Sequence, residues 1–147
     1  MDNKTVIESL CAKDTLEFGR MMGEKVKPGT VIVLSGDLGV GKTVFAKGLA
    51  KGLGITEPVV SPTFTIVQEY KEGRIPLFHF DAYRIEDYEE MYEIGFDEYL
   101  YGGGICLIEW AENIKELLPE SYYKLTIKKV PEKGFDYRLI TFEAVGV

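Results

Sequence analysis

Two short runs along the chain are apolar at every position. They are residues 31–34 (VIVL) and residues 105–108 (ICLI). Because successive side chains of a strand point to opposite faces, a fully apolar run is typical of a strand that is covered on both faces. We therefore predict that these two runs are central strands of an α/β sheet.

Helical spacing of apolar residues marks the segments around the first run. Upstream, apolar residues recur irregularly at helical spacing, and this pattern ends at Pro28. Asp14 and Glu17 have the spacing of a capping box, so we predict a first helix that begins near Asp14. Downstream, residues 43–53 carry apolar side chains at helical spacing, and Gly54 is placed to end that helix. Shorter helices are predicted within residues 86–100 and over residues 111–118.

The remaining strands are predicted from their composition and from the turns between them. Residues 63–70 and 75–81 flank a connection that contains Gly73, which is typical of an antiparallel pair. Residues 123–130 and 137–145 alternate between polar and apolar positions on either side of a turn with proline and glycine. This second pattern predicts a terminal hairpin.

Composition limits the classes of function. The chain has 147 residues, of which 46% are hydrophobic, so we predict one packed core and a single domain over residues 1–147. With 24 acidic and 17 basic side chains, the net charge is −7, which argues against independent, tight binding to a nucleic acid. No stretch approaches the roughly 20 apolar residues of a membrane span and the N-terminus does not open into a signal peptide, so we expect a cytoplasmic protein with no membrane contact.

The two cysteines, Cys11 and Cys106, lie far apart in the sequence, with no CxxC motif or histidine cluster beside either. Zinc sites and disulfide frameworks have clustered spacings that this chain lacks. We therefore expect two buried thiols in a reducing compartment.

Candidate chemistry begins with residues 36–43 (GDLGVGKT), which match the phosphate-binding pattern GxxxxGK[ST], or Walker A motif. The motif lies between a predicted buried strand and a predicted helix, where backbone N–H groups and the helix dipole converge on phosphate. Lys42 would supply a flexible positive charge to the terminal phosphates, and the Thr43 hydroxyl suits a magnesium ligand. The sequence therefore predicts a site for a nucleotide with Mg²⁺.

A magnesium ion beside phosphates also needs a carboxylate, and two acidic residues follow predicted strands. Asp81 comes after residues 77–80 (LFHF), and Glu109 comes directly after residues 105–108. Either carboxylate could bind the metal directly, hold it through water or orient the attacking water of a hydrolysis reaction. The residues alone leave these roles open, with an exposed strand end or a helix cap as the alternative for each.

Three further features have a functional and a structural interpretation. The hydroxyl-rich linker at residues 61–65 (SPTFT) has the position of a switch segment that contacts the terminal phosphate, but an ordinary linker is an equal alternative. Trp110 could form a wall of the site or fill the core. His79, the only histidine of the chain, is interpreted as a structural residue on an apolar strand and is left out of the chemistry.

Four motifs in this order resemble one known family. They are GDLGVGKT at residues 36–43, SPTF at 61–64, HFDAYR at 79–84 and IEWAE at 108–112. The ordered set resembles TsaE (YjeE-type), the bacterial ATPase family of tRNA threonylcarbamoyladenosine (t6A) biosynthesis, from about residue 9 to the end of the terminal hairpin. The resemblance implies a P-loop NTPase-like, three-layer α/β fold with a mixed parallel and antiparallel sheet.

The resemblance also implies an activity, partners and site residues. ATP hydrolysis is expected to be weak for this chain alone and to depend on an assembly with TsaB and TsaD, which would carry the tRNA and the transfer chemistry. ATP and Mg²⁺ are the expected ligands, Lys42, Asp81 and Glu109 are the expected catalytic residues, and Thr43 and Glu109 are the expected metal ligands. The expected nucleotide-binding residues are Ala12, Gly39, Val40, Gly41, Lys42, Thr43, Val44, Asp81 and Glu112.

The chain departs from the commoner pattern of that family at four positions. These are Val40, Val44, Ala82 and Ala111, where the family often has Ala, Thr, Leu and Pro. Val44 removes a hydroxyl that could touch a phosphate, but its backbone N–H remains, so nucleotide binding is expected to be retained.

Two other functions remain as alternatives. A nucleotide-gated binding module would use ATP to order residues 61–65 and dock a partner, without essential hydrolysis. A small-molecule kinase would need an arginine-bearing lid, whereas the four arginines are scattered along this chain. A GTPase is disfavoured because no NKxD motif for guanine follows the loop.

Overall fold

The structure, a computed structural model, describes residues 4–37 and 39–146. Leu38, in the predicted phosphate-binding loop, lies outside the described residues. The strands are β1 (Lys4–Ser9), β2 (Val31–Ser35), β3 (Val67–Tyr70), β4 (Leu77–Asp81), β5 (Ile105–Glu109), β6 (Tyr122–Lys129) and β7 (Arg138–Val145). The α-helices are α1 (Ala12–Lys25), α2 (Lys42–Gly52), α3 (Glu90–Glu93) and α4 (Phe96–Leu100), and two 3₁₀ helices cover Ala111–Leu117 and Pro131–Lys133.

The seven strands form a mixed sheet in the order β1-β7-β6-β2-β5-β4-β3. The four central strands β6, β2, β5 and β4 run parallel to one another. The pairs β1–β7, β7–β6 and β3–β4 are antiparallel. The two fully apolar runs are thus adjacent central strands, and the mixed sheet predicted from the sequence is confirmed.

Helices cover both faces of this sheet, which gives the predicted three layers. On one face, Ile32 and Leu34 of β2 pack with Phe45 and Leu49 of α2, and α1 lies over them. On the other face, the alternate residues of the same strand pack against α3, α4 and the first 3₁₀ helix. Each side chain of β2 from Val31 to Leu34 is therefore buried, as its sequence predicts.

Helices α1 and α2 approach each other closely because glycines face the contact. Gly19 and Gly23 of α1 meet Gly48 and Gly52 of α2, and a Cβ atom on any of the four would overlap backbone atoms of the opposite helix. At Gly48 the overlapped atom would be the carbonyl oxygen of Leu16. The helix that follows the phosphate-binding motif is therefore held by direct backbone contact.

Two predicted elements differ at their ends. Helix α1 begins at Ala12 after the N-cap Cys11, earlier than predicted, and Asp14 lies in its first turn, where its Oδ2 accepts a hydrogen bond from the N–H of Leu10. The predicted strand over residues 63–70 begins only at residue 67, because residues 62–66 form a turn that ends in a left-handed Ile66 with φ +70°.

One strand was not predicted at all, and one burial prediction was wrong. Strand β1 is mostly exposed and is held at the edge of the sheet by its pairing with β7, so its side chains give little apolar pattern. Cys106 is buried as expected, but Cys11 is exposed, because it lies at the start of α1. No helix among the described residues is both long and apolar enough to cross a membrane.

Candidate functional site

The phosphate-binding motif connects β2 to α2 and leaves the first turn of that helix open. Gly39 and Gly41 have φ values of +80° and +110°, which only glycine adopts without strain. Gly41 is the N-cap of α2, and no side chain of the described residues caps it. The first turn of α2 therefore has no side-chain cap, which suits an anion site at a helix N-terminus.

Contacts between its backbone and neighbouring elements fix the shape of this loop. A Cβ atom at Gly36 would lie 2.7 Å from the carbonyl oxygen of Ile127, so the chain passes directly against β6 there. The carbonyl oxygen of Val40 accepts a hydrogen bond of 2.8 Å from Nε of Arg138, and the Val40 side chain is buried. The loop is thus anchored to the terminal hairpin through its backbone.

Two carboxylates lie at the ends of adjacent parallel strands beside the loop. Asp81 of β4 and Glu109 of β5 are register partners. Both lie on the face that carries α2, because Asp81 is four positions after Leu77 and Glu109 is two positions after Leu107, and both leucines belong to the core on that side. The topology therefore brings together residues that are 28 positions apart in the sequence.

Glu109 is nearly buried and has a different partner at each oxygen. Its Oε1 lies 3.6 Å from Nζ of Lys42, and its Oε2 lies 2.7 Å from Nε2 of His79. Burial by itself would raise the pKa of Glu109, but the hydrogen bond from His79 and the positive charge of Lys42 outweigh it, so the pKa is held below its usual value. Glu109 is therefore an ionised carboxylate at neutral pH.

Asp81 is held in place by hydrogen bonds from two loops. Its Oδ1 accepts the backbone N–H of Tyr83 at 2.9 Å, and its Oδ2 accepts the hydroxyl of Thr63 at 3.1 Å. The Thr63 hydroxyl is also 2.7 Å from the hydroxyl of Ser61. The hydroxyl-rich linker is thus connected directly to a carboxylate of the site.

Trp110 forms a wall of the site, which decides between the two interpretations of this residue. It follows Glu109 in a left-handed conformation with φ +59°, and it is 39% exposed. The Nζ atom of Lys42 lies 5.5 Å from the centroid of its ring, and the ring of Tyr83 lies 4.9 Å away on the outside. The indole therefore packs against the lysine of the loop and stays in contact with solvent.

These groups line two clefts that share Gly36, Asp37, Lys42 and Trp110. The larger cleft has a volume of about 670 Å³ and is also lined by Gly39, Gly41, Thr43, Ser61, Thr63, Asp81, Tyr83 and Glu109. The smaller cleft has a volume of about 440 Å³ and is also lined by Leu34, Ser35, Glu112, Thr126, Ile127, Lys128 and Lys129. One continuous surface therefore runs from the carboxylates, over the loop, to the end of β6.

The structure brings most of the predicted site residues to this surface. Lys42, Thr43, Asp81 and Glu109 share the larger cleft with Gly39 and Gly41, and Glu112 lines the smaller one. Val40 is buried beneath the loop and Val44 is half-buried, so these two would face a ligand through their backbone. Ala12, at the start of α1, is not among the described residues that line either cleft.

Sequence reasoning missed His79 and the basic end of β6, which carries Lys128 and Lys129. His79 is two positions before Asp81 on one strand, so the period of a strand already placed both on the same face. This two-residue spacing could have been used to predict that His79 lies on the same side of the sheet as the candidate site. The role of β6 depends on its parallel pairing with β2, which no local pattern reveals.

The residues present fit a magnesium ion that is held mainly by its nucleotide. Within residues 4–37 and 39–146, no group of three or more His, Cys, Asp or Glu side chains is arranged to hold a metal. Thr43 and Glu109 nevertheless line one cleft as a hydroxyl and a carboxylate. Mg²⁺ is commonly held by one or two protein oxygens together with phosphates and water, so this donor set suits it.

Comparison with known proteins agrees with the motifs. The family model described as threonylcarbamoyl adenosine biosynthesis protein TsaE matches residues 10–138. The tRNA threonylcarbamoyladenosine biosynthesis protein TsaE of Bacillus subtilis (strain 168) is 50% identical over 134 residues, covering 91% of this chain and 82% of the relative. The protein of the same name from Treponema pallidum (strain Nichols) is 47% identical over 119 residues, covering 81% and 86%.

A solved structure shows the same fold. The crystal structure of YdiB from Bacillus subtilis matches with a TM-score of 0.84 and 42% sequence identity, covering 99% of this chain and 88% of that one. The match of the family model spans the loop, the linker and both strand-end carboxylates. This chain therefore belongs to the TsaE family of tRNA threonylcarbamoyladenosine biosynthesis proteins.

Proposed function

We propose that this chain binds ATP with Mg²⁺ and hydrolyses it as a subunit of the machinery that makes threonylcarbamoyladenosine in tRNA. The observation that carries this proposal is the convergence of the phosphate-binding loop, Lys42, Asp81 and Glu109 on one cleft. A loop alone would support only phosphate binding. Carboxylates at the ends of neighbouring strands add the groups that hold a metal or orient water.

Each residue of the cleft has a distinct part in the proposed reaction. The backbone of the loop and Lys42 bind the phosphates, since they present N–H groups and a cation at the start of α2. Thr43 and Glu109 would hold Mg²⁺, which when bound neutralises charge on the phosphates. Asp81 accepts hydrogen bonds at both oxygens, and in the proposed reaction it would orient water near the phosphates.

The smaller cleft is the proposed site for the remainder of the nucleotide. It is continuous with the phosphate site through Lys42 and Trp110, and its own wall includes Glu112 and Lys128. A nucleotide is longer than its phosphates, so it must extend from the loop along the surface in one direction. Glu112 is therefore proposed as a nucleotide-binding residue.

The partners are proposed to be TsaB and TsaD, in the cytoplasm, with the tRNA held by them. The net charge of −7 supports an indirect contact with tRNA, because it opposes the approach of a phosphate backbone. Tyr83 of the larger cleft is 57% exposed, and Phe64, which follows Thr63 of that cleft in the sequence, is 79% exposed. Exposed aromatic side chains of this kind suit a protein contact.

Hydrolysis by the assembled proteins tests the proposal. ATP turnover is measured for this chain alone, then with TsaB and TsaD, and then with tRNA. We expect weak turnover alone and stimulation by the partners. Turnover that stays at the background rate under all three conditions would refute the hydrolytic role.

A nucleotide-gated binding module is the second candidate, and one contact favours it. Thr63 of the linker donates to Asp81, so a ligand beside Asp81 can change the conformation of the linker without hydrolysis. The variant Glu109→Gln separates the two functions, because it removes the charge but keeps the size of the side chain. Under the proposal, turnover falls about 100-fold or more and tRNA modification is lost with it.

The matched control for this variant is Glu116→Gln, which changes an exposed carboxylate in the 3₁₀ helix that follows β5. It is expected to leave turnover unchanged. If Glu109→Gln abolishes hydrolysis but supports full modification of tRNA, the binding module is the correct function.

The kinase alternative receives little support from the arginines. Arg20 pairs with Glu17 and Glu24 on α1, and Arg74 donates to carbonyl oxygens at the end of the same helix. Arg138 is bound beneath the loop. Arg84 follows Tyr83 of the larger cleft and lies 4.5 Å from the ring centroid of Phe64, and a single such residue does not form a lid.

A further inference from the structure

His79 is a fully buried polar residue with an unusual environment. It is 1% exposed and lies between Leu77 and Asp81 on the α2 face of β4. Its Nε2 is 2.7 Å from Oε2 of Glu109. Its Nδ1 is buried and has no hydrogen-bond partner among the residues that the structure describes.

The geometry determines which group donates in this pair. The other oxygen of Glu109 faces the ammonium of Lys42, which is a donor only, so the carboxylate accepts on both sides. The proton between Nε2 and Oε2 must then belong to the imidazole. A second proton on Nδ1 would be a buried donor without an acceptor, so the tautomer with hydrogen on Nε2 satisfies the contacts best.

An apolar side chain would fill this position without burying an unpaired nitrogen. The strand around it is apolar, and Phe78 and Phe80 on the opposite face need no polar partner. The contact to Glu109 is the one feature among the described residues that a histidine here supplies and a leucine does not. Packing therefore does not account for the imidazole.

We propose that His79 is a positioning residue that fixes the carboxylate of Glu109 so that Oε1 faces Lys42 and the larger cleft. This inference rests on the proposed function, since it concerns the orientation of a residue assigned to the metal and phosphates. Without the imidazole, Oε2 loses its buried donor and the carboxylate can rotate toward Lys42 with both oxygens. The cation of the loop would then be held away from a ligand, and the metal would meet a misaligned carboxylate.

The first test observes the contact directly and needs no hydrolysis. Because the chain has a single histidine, ¹⁵N-histidine labelling gives the NMR signals of one imidazole. We expect the Nε2–H tautomer in the wild type and a change of both nitrogen shifts in Glu109→Gln. A tautomer with hydrogen on Nδ1 would overturn the proposal, and so would ¹⁵N chemical shifts that are the same in the wild type and in Glu109→Gln.

The second test uses two substitutions that differ in one hydrogen-bond donor. His79→Leu removes the donor, whereas His79→Gln places an amide N–H near the position of Nε2. In the assembly with its partners and tRNA, the leucine variant is expected to lower kcat about tenfold and to raise the half-saturating Mg²⁺ concentration. The glutamine variant should recover most of both losses, and the KM for ATP should stay within about twofold of the wild type in each.

A control variant on the opposite face of β4 separates a hydrogen-bonding role of His79 from a role in packing. Phe78→Leu changes a buried side chain of the same strand on the opposite face, and it is expected to leave kcat and the Mg²⁺ dependence unchanged. Equal losses in His79→Gln and His79→Leu, both folded, would mean that packing alone matters. If the wild type shows no hydrolysis at all, the proposed function fails, and the NMR experiment still decides whether His79 holds Glu109.

Discussion

The ammonium of Lys42 lies 3.6 Å from Oε1 of Glu109, and the two side chains are only 13% and 9% exposed. The cation of the phosphate-binding loop is thus paired with a carboxylate at the end of β5. A charge pair that is nearly shielded from water is screened little by salt. Glu109 thus links Lys42 of the loop to His79 of β4 in one network of side chains.

Replacing Lys42 by alanine is expected to weaken ATP binding about 10- to 100-fold, because a charge-assisted hydrogen bond to phosphate is lost. Isothermal titration calorimetry with a non-hydrolysable ATP analogue measures the change. Lys47→Ala is the matched control, since Lys47 is an exposed lysine of the same helix. The prediction is wrong if the two variants bind the nucleotide equally well.

The hydroxyl of Thr63 gives a prediction for the linker. Thr63→Val removes the donor to Oδ2 of Asp81 and keeps the shape of the side chain, so Asp81 loses one of its two fixed contacts. We expect kcat of the assembled proteins to fall about tenfold, with the dissociation constant for the nucleotide within about threefold. Thr63→Ser retains a hydroxyl and should recover kcat; a serine variant as slow as the valine variant would contradict the role of the hydrogen bond.

The central strands of the sheet could be predicted from the sequence because a run of apolar residues is a local signal. A fully apolar run can be a strand only where both of its faces are covered, and this condition identified β2 and β5. Strand β1 was not predicted, because it is held by backbone pairing with β7 and most of its side chains are exposed. A short edge strand of this kind carries little hydrophobic pattern to detect.

The residues of the candidate site that could be predicted are those at the end of a predicted strand or within the phosphate-binding motif. Asp81 and Glu109 were found in this way, and the sheet places them side by side. The contact between His79 and Glu109 was not predictable, because it requires that β4 and β5 are parallel neighbours in a particular register. The turn at Ile66 was missed for another reason, since an isoleucine with positive φ contradicts its own preference for strands.

The glycine contact between α1 and α2 predicts a large loss of stability on a small change. In Gly48→Ala the new methyl group would overlap the carbonyl oxygen of Leu16, and neither backbone can move without separating the helices. The free energy of unfolding is expected to fall by at least about 2 kcal/mol, as for other overpacked sites. Urea denaturation followed by circular dichroism measures it.

The same neighbourhood offers a control for this prediction. Lys47→Ala lies one residue earlier on the exposed side of α2, and it should change the free energy of unfolding by less than about 0.5 kcal/mol. A Gly48→Ala midpoint equal to that of Lys47→Ala would show that the helices can separate at little cost.

The two thiols are expected to differ sharply in reactivity. Burial raises the pKa of the Cys106 thiol to about 12, whereas Cys11 lies exposed at the start of α1. Since the thiolate is the reactive form, iodoacetamide at pH 8 should add one group to the native chain, at Cys11, and a second only after unfolding in urea. Mass spectrometry of the intact chain counts the additions, and Cys11→Ser should remove the first. The group on Cys106 should then appear at a rate set by opening of the structure, and rapid native labelling of Cys106 would show that β5 is less protected than its burial implies.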